Sequence, residues 1–176
     1  MNSSTRTKYK GLDILLDSFH EVSAKYPDAK LYLLGDNDQN PDNKNIISTG
    51  FKSGEEFANL LSQMQVGAWI ARGDTFPVGS IEAMLAGVPT FVSQFTGTKA
   101  IVEKANPNFI LPISSKELSS NIIKYFKLPD NKKEKLAKKF REVARPYLVR
   151  NSTKTFPKKF KMLVEKIKKK RKSKDN

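Results

Sequence analysis

Val66-Gly67-Ala68-Trp69-Ile70, Ala71-Arg72-Gly73-Asp74-Thr75-Phe76-Pro77, Val78-Gly79-Ser80-Ile81-Glu82-Ala83-Met84-Leu85-Ala86-Gly87 and Val88-Pro89-Thr90-Phe91-Val92-Ser93 follow one another without a gap. The first run is apolar, short and free of charge, which is the signature of a strand buried on both faces. Gly73 and Pro77 favour an irregular turn over a continued strand. Residues 80–86 then read as a helix stopped by Gly87, and residues 89–93 as a second buried strand. A strand, a short crossover helix and another apolar strand place the two strands parallel, because a helix carries the chain back to the end where it started.

The same alternation extends in both directions. Upstream, Leu12, Leu15, Leu16, Phe19, Val22 and Tyr26 are spaced three and four apart, predicting an amphipathic helix over 12–25 that ends before Pro27. Residues 30–34 predict a strand closed by Gly35-Asp36, the acidic and amide-rich stretch to Lys44 a loop, and residues 46–51 a shorter strand. Ser53 and the carboxylates Glu55 and Glu56 open a helix whose inward side carries Phe57, Leu60, Leu61 and Met64. Downstream, a loop with Gly97 precedes a short strand at 109–111. Leu118, Ile122 and Phe126, then Leu136, Phe140 and Val143, then Phe156, Phe160, Leu163 and Ile167 mark three helical stripes. The reading is a three-layer, Rossmann-like α/β domain with a mostly parallel sheet, in which 30–34, 66–70 and 89–93 are neighbouring strands. Its expected bounds are a domain over 1–150, a C-terminal helix over 151–170 and a basic tail over 171–176.

Composition excludes several chemistries. The 176 residues contain no Cys and one His, so disulfides, zinc-thiolate sites, iron-sulfur clusters, thiol nucleophiles and multi-histidine metal sites are ruled out. His20 lies at the polar edge of the first helix stripe, and the acidic loop 36–42 does not have EF-hand spacing; no metal is expected. The charge of +14 is concentrated: residues 1–115 carry 10 Lys and Arg against 12 Asp and Glu, whereas residues 116–176 carry 22 against 6. A nucleic-acid or anionic-membrane reading therefore rests on the last third alone. No apolar run reaches the roughly 18 residues of a spanning helix, and no signal-peptide core follows Met1-Asn2-Ser3-Ser4-Thr5. A cytoplasmic protein, peripheral at most to the cytoplasmic membrane face, is the expectation.

The segment from Asp74 to Ser93 resembles the nucleotide-sugar-binding signature of retaining glycosyltransferases with two Rossmann-like halves, the GT-B enzymes of family 4 (glycosyl transferases group 1). Ile81-Glu82-Ala83-Met84 followed by Ala86-Gly87 and Pro89 carries most of it. Asp74 stands eight positions before Glu82, the family's spacing for its two acids, although the first is usually Glu, and Phe76 matches the aromatic after it. Lys10-Gly11-Leu12-Asp13, Leu33-Leu34-Gly35-Asp36, Gly50-Phe51, and Gly97 with Ile101-Val102-Glu103 match further pieces in order. Departures include Ser4 at the position of the family's Arg, Pro77 for the usual Gly, and Ala100 where many relatives have an acid.

The resemblance implies the C-terminal, donor-binding half only, with the acceptor-binding N-terminal half outside this chain and little transfer by the chain alone. It implies no cofactor; the ligand is a nucleoside-diphosphate sugar, and the acceptor is unidentified. Lys10 and Arg6 are the expected cations for the diphosphate, with a plain surface role as the alternative. Glu82 is expected to accept hydrogen bonds from the ribose hydroxyls; its position near a helix start would also suit a carboxylate without any ligand. Asp74 is expected to face the donor sugar, with a turn residue as the alternative. Lys10, Asp74 and Glu82 form the catalytic expectation. Phe76, Gly79, Gly97 and Thr98 complete the donor set, with Lys99 as a neighbouring contact. Trp69 reads as a buried strand residue and Arg72 as a surface one. Two other functions are carried forward: a non-catalytic donor-domain relic or interaction module, and a basic C-terminal surface for a membrane or a lipid-linked acceptor. Nucleic acid is the less favoured partner.

Overall fold

The computed structural model describes residues 8–35, 43–148, 153, 156–158 and 160–165. The chain divides into two compact units, Met1–Val143 and Ala144–Asn176. In the first, helices and strands alternate: α1 (Leu12–Lys25), β1 (Leu31–Leu33), β2 (Ile46–Ser48), α2 (Gly54–Ser62), β3 (Gly67–Trp69), α3 (Val78–Ala86), β4 (Thr90–Ser93), α4 (Lys99–Ala105), β5 (Ile110–Leu111), α5 (Ser115–Phe126) and α6 (Asp130–Ala144). Among the described residues the strand pairs β1–β2, β3–β4 and β4–β5 are parallel. The fold is an α/β Rossmann-like domain, as the alternation of helical and strand periods requires.

One expectation is corrected. The run 30–34 does not neighbour 66–70: β1 pairs with β2, in register Leu31 with Ile46, and β3-β4-β5 forms a separate sheet. A cavity of about 870 Å³, bordered by residues of both β1 and β3, separates them, so their backbones are not within hydrogen-bonding reach of one another.

Two apolar clusters hold the layers. Phe19 and Val22 of α1 pack with Leu33 and Ile46, and Ile122, Ile123 and Phe126 of α5 close over them. Leu61 of α2, Ala83 of α3 and Val88 form the other, with Trp69 half-buried against it. Phe109 stacks on Phe91 at 4.2 Å between ring centroids and meets the fully buried Phe140 of α6 edge-on at 4.9 Å. The expected stripes of α5 and α6 thus supply packing, while Lys132, Lys135, Lys138 and Lys139 point to solvent.

α3 begins at Val78, two residues before the predicted start. Ser80 donates through both its backbone N–H (3.0 Å) and its hydroxyl (2.8 Å) to the Pro77 carbonyl, which closes the first turn early. The helix ends at Gly87, whose φ of +87° is the left-handed conformation glycine adopts without a Cβ penalty. There Gly87 N–H reaches Met84 C=O and Val88 N–H reaches Ala83 C=O, and the Arg141 guanidinium donates to the Leu85 and Ala86 carbonyls. A cation at that end also meets the negative pole of the helix.

In the second unit, Phe156 and Phe160 stack at 5.9 Å, and both are exposed together with Leu163. The rest of the predicted stripe, Ile167, and the tail 171–176 lie outside the described residues, as do the acidic loop 36–42 and Arg6.

Candidate functional site

The loops that follow β3 and β4 emerge side by side at the C-terminal ends of parallel strands. Asp74 N–H donates to Phe95 C=O (3.3 Å), and Gly97 N–H donates back to Asp74 C=O (2.8 Å). This exchange explains why position 97 is glycine. A Cβ there would lie 2.8 Å from the Thr75 carbonyl carbon and closer still to its oxygen, so the two loops cross at backbone contact.

A third segment, residues 8–11, is tied to the same edge by Arg72. Its backbone N–H donates to Tyr9 C=O (2.9 Å), and its guanidinium donates to the Lys8 carbonyl and to both carboxylate oxygens of Asp13, at 2.8 and 2.6 Å. The fork of two parallel N–H···O bonds fixes orientation as well as distance. Those bonds hold the Asp13 carboxyl below the usual aspartate range, outweighing its partial burial, and raise the Arg72 guanidinium further.

The clamp delivers Lys10, whose Nζ donates to Asp74 Oδ2 at 2.5 Å across 64 residues of sequence. The Asp74 side chain is 13% exposed and that of Lys10 53%, so the carboxylate is set in the wall while the ammonium stays in reach of solvent. Beside them opens a concavity of about 710 Å³ lined by Tyr9, Gly73, Asp74, Thr75, Gln94, Phe95, Thr96, Gly97 and Lys99. Lys99 Nζ donates to the Gln94 carbonyl at 3.0 Å.

Of the residues expected from sequence, Lys10 and Asp74 are therefore in direct contact, and Gly97 lines the same concavity as Asp74. Gly79 borders the larger cavity together with Lys10 and Asp74, and a Cβ on it would lie 3.2 Å from the Trp69 ring. Glu82 is exposed on α3, and Phe76 is 43% exposed; neither lines a cavity with Lys10. Thr98 is fully buried, its hydroxyl 3.3 Å from that of Ser80. His20 is exposed on α1. Sequence reasoning missed the Arg72–Asp13 clamp and Tyr9. The partners of the clamp stand 59 residues apart, and no local spacing links them.

Parallel strands wound on both faces, with loops converging at their carboxyl ends, define the Rossmann-like class of ligand-binding domains. Within that class, the chain belongs to the glycosyl transferases group 1 family, which it matches over residues 2–127. No curated protein matches it in sequence.

Solved structures share its fold. The N-terminal domain of Candida albicans trehalose-6-phosphate phosphatase superposes with a TM-score of 0.67 at 18% identity, covering 85% of this chain and 38% of that one. The catalytic domain of cholesterol-alpha-glucosyltransferase from Helicobacter pylori gives 0.64 at 16%, covering 80% and 92%. A UDP-forming trehalose-phosphate synthase from Burkholderia xenovorans gives 0.65 at 14%, covering 84% and 40%. The chain thus spans about two-fifths of the first and last of these, and its fold is that of the GT-B glycosyltransferases. Among the described residues no helix is long and apolar enough to cross a membrane.

Proposed function

We propose that the chain binds a nucleoside-diphosphate sugar at the carboxyl ends of its parallel strands, as the C-terminal, donor-binding half of a retaining glycosyltransferase. The observation that carries this reading is the meeting of Lys10 and Asp74 at 2.5 Å beside the crossed loops, where ligands of doubly wound sheets bind. Transfer breaks the bond between the anomeric carbon and a diphosphate oxygen, and negative charge grows on the leaving group. A preplaced cation stabilises that charge more than it stabilises the bound donor. Lys10, joined by Arg6, supplies it. An incoming diphosphate competes with Asp74 for Lys10, and the carboxylate so released accepts hydrogen bonds from the sugar hydroxyls. Glu82 receives the ribose hydroxyls. Phe76 and Gly79 lie along the donor, Gly97 forms the close-packed floor of the phosphate loop, and Thr98 acts through its main chain because its hydroxyl is buried. No residue is assigned as a covalent nucleophile. The positive charge of the last third, 22 Lys and Arg against 6 Asp and Glu, suits an anionic membrane or a lipid-linked acceptor, with a solvated basic surface as the alternative.

Calorimetry with uridine, guanosine and adenosine diphosphate sugars tests the reading. One of them should bind, and Glu82→Gln should weaken it by about 1.5–3 kcal/mol, the worth of a charged hydrogen bond, or roughly 10- to 150-fold. Unchanged affinity would remove Glu82 from the site. The chain alone should bind donor without sustained transfer, since positioning of an acceptor hydroxyl contributes several kcal/mol of the barrier reduction. Transfer to a defined acceptor without a partner would contradict that assignment.

A further inference from the structure

We infer that the concavity of about 710 Å³ beside Asp74 is an acceptor subsite, in which Tyr9 and Phe95 stack on the pyranose ring of a carbohydrate acceptor. The inference rests on the donor reading above and names the substrate on the other side of Asp74. Asp74 borders two hollows. Lys10 and Gly79 line the larger one with it, whereas Tyr9, Phe95, Gln94 and Lys99 line only the smaller. A donor held by Lys10 thus meets Asp74 from one side, and the second side is left for the molecule that reacts with that donor. The donor reading gives Tyr9, Gln94 and Phe95 no part.

Both rings are set into the wall. Tyr9 is 47% exposed and Phe95 54%, yet each leaves a fixed main chain. The Tyr9 carbonyl accepts from Arg72 N–H at 2.9 Å, inside the clamp that also grips Asp13. Its ring lies over Gly73, where a Cβ would come within 2.9 Å of Tyr9 Cζ and closer still to the hydroxyl oxygen. Phe95 N–H donates to Oγ of the buried Ser93 at 3.2 Å, and the Phe95 carbonyl accepts from Asp74 N–H at 3.3 Å. Side chains anchored in this way lose little freedom when a ligand arrives. Left in water, the two rings forgo the burial that favours large apolar groups elsewhere in the chain.

A sugar ring matches this wall. The C–H groups on the face of a pyranose are apolar and carry slight positive charge, and the face of an aromatic ring is negative. The hydroxyls stand around the edge of the pyranose and need donors and acceptors. The Gln94 amide and the Thr75 hydroxyl each supply both, and Lys99 Nζ donates from its place 3.0 Å from the Gln94 carbonyl. Aromatic walls with a few polar groups between them are the usual make-up of a small-molecule site. A hydroxyl of the stacked ring forms the new bond to the donor's anomeric carbon as the bond from that carbon to the diphosphate oxygen breaks. The electron pair of the broken bond and the hydroxyl proton both pass to the diphosphate, leaving a glycosylated acceptor and a nucleoside diphosphate.

The test uses the full chain and three probes, methyl β-glucoside, methyl β-galactoside and methyl α-mannoside, titrated by saturation-transfer NMR with and without the nucleotide sugar that binds best. At least one glycoside should bind saturably, and its affinity should hold within about twofold when the nucleotide sugar is present, as for separate sites. Phe95→Leu and Tyr9→Leu should each weaken the glycoside by about tenfold, because an aromatic face and its burial are lost. Phe95→Tyr, which keeps the face, should bind like the parent. The loss should fall on the glycoside and not on the nucleotide sugar. Displacement of the glycoside by the nucleotide sugar, or equal loss of both ligands in Phe95→Leu, would overturn the inference, since the concavity would then hold part of the donor. Unchanged glycoside affinity in both leucine variants, or no glycoside binding beside a bound nucleotide sugar, would overturn it and leave the donor reading standing. If no nucleotide sugar binds, the donor reading falls and the acceptor role falls with it.

Discussion

Replacing Gly97 with Ala separates packing from ligand approach at the crossed loops. The new Cβ would lie 2.8 Å from the Thr75 carbonyl carbon, where non-bonded carbons prefer about 3.5–4.0 Å. The Thr75 carbonyl oxygen is closer still, so the loops must part by more than an ångström. Overpacking of this kind costs about 1–3 kcal/mol. The Gly97–Asp74 backbone hydrogen bond, 2.8 Å in the parent, stretches as they part and forfeits about 0.5–1.5 kcal/mol more. The expected loss is about 2–4 kcal/mol. At about 2–4 °C per kcal/mol for a chain of this size, the melting temperature should fall by roughly 5–15 °C in the absence of any ligand. Thermal unfolding followed by circular dichroism reads this directly, with a donor titration in parallel. A melting temperature within about 1 °C of the parent would refute the packing argument, and a loss of donor affinity alongside it would assign the glycine to the ligand instead.

Phe140→Ala should lower stability by about 3–5 kcal/mol in urea denaturation, because a fully buried ring in contact with Phe109 is removed. The Asp13–Arg72 pair should make stability fall in acid. The folded pKa of Asp13 is lowered, so its contribution is complete above the ordinary aspartate value of about 3.9 and is lost as pH falls through the lower folded value, while Arg72 stays charged throughout. Asp13→Asn should flatten the melting curve against pH below about pH 4, and an unchanged acid limb would show that the pair does not couple to folding.

The periods of apolar residues were enough to place most of the helices and strands, since each depends on contacts three or four residues apart or on simple alternation. The 66–93 segment therefore disclosed a parallel α/β domain, and the spacing of Asp74 and Glu82 disclosed its family. The start of α3 was misplaced by two residues because the Pro77 carbonyl recruits Ser80, a bond that no hydrophobic period records. The pairing of 66–70 with 89–93 followed from the short crossover between them, but that 31–33 pairs with 46–48 and not with 67–69 was beyond the sequence. Strands of two to four residues have little register information of their own, and the separation of β1 from β3 is visible only when both walls of the cavity are in place. The candidate site divides in the same way. Lys10, Asp74 and Gly97 could be named from local motifs, but the ion pair between the first two depends on Arg72 gripping Asp13 and the main chain of residues 8–9. Thr98 looked available in the sequence and is buried against Ser80. Those contacts span 18 to 64 residues, and only the closing of the chain brings such groups within the 3 Å at which charge and hydrogen bonding act.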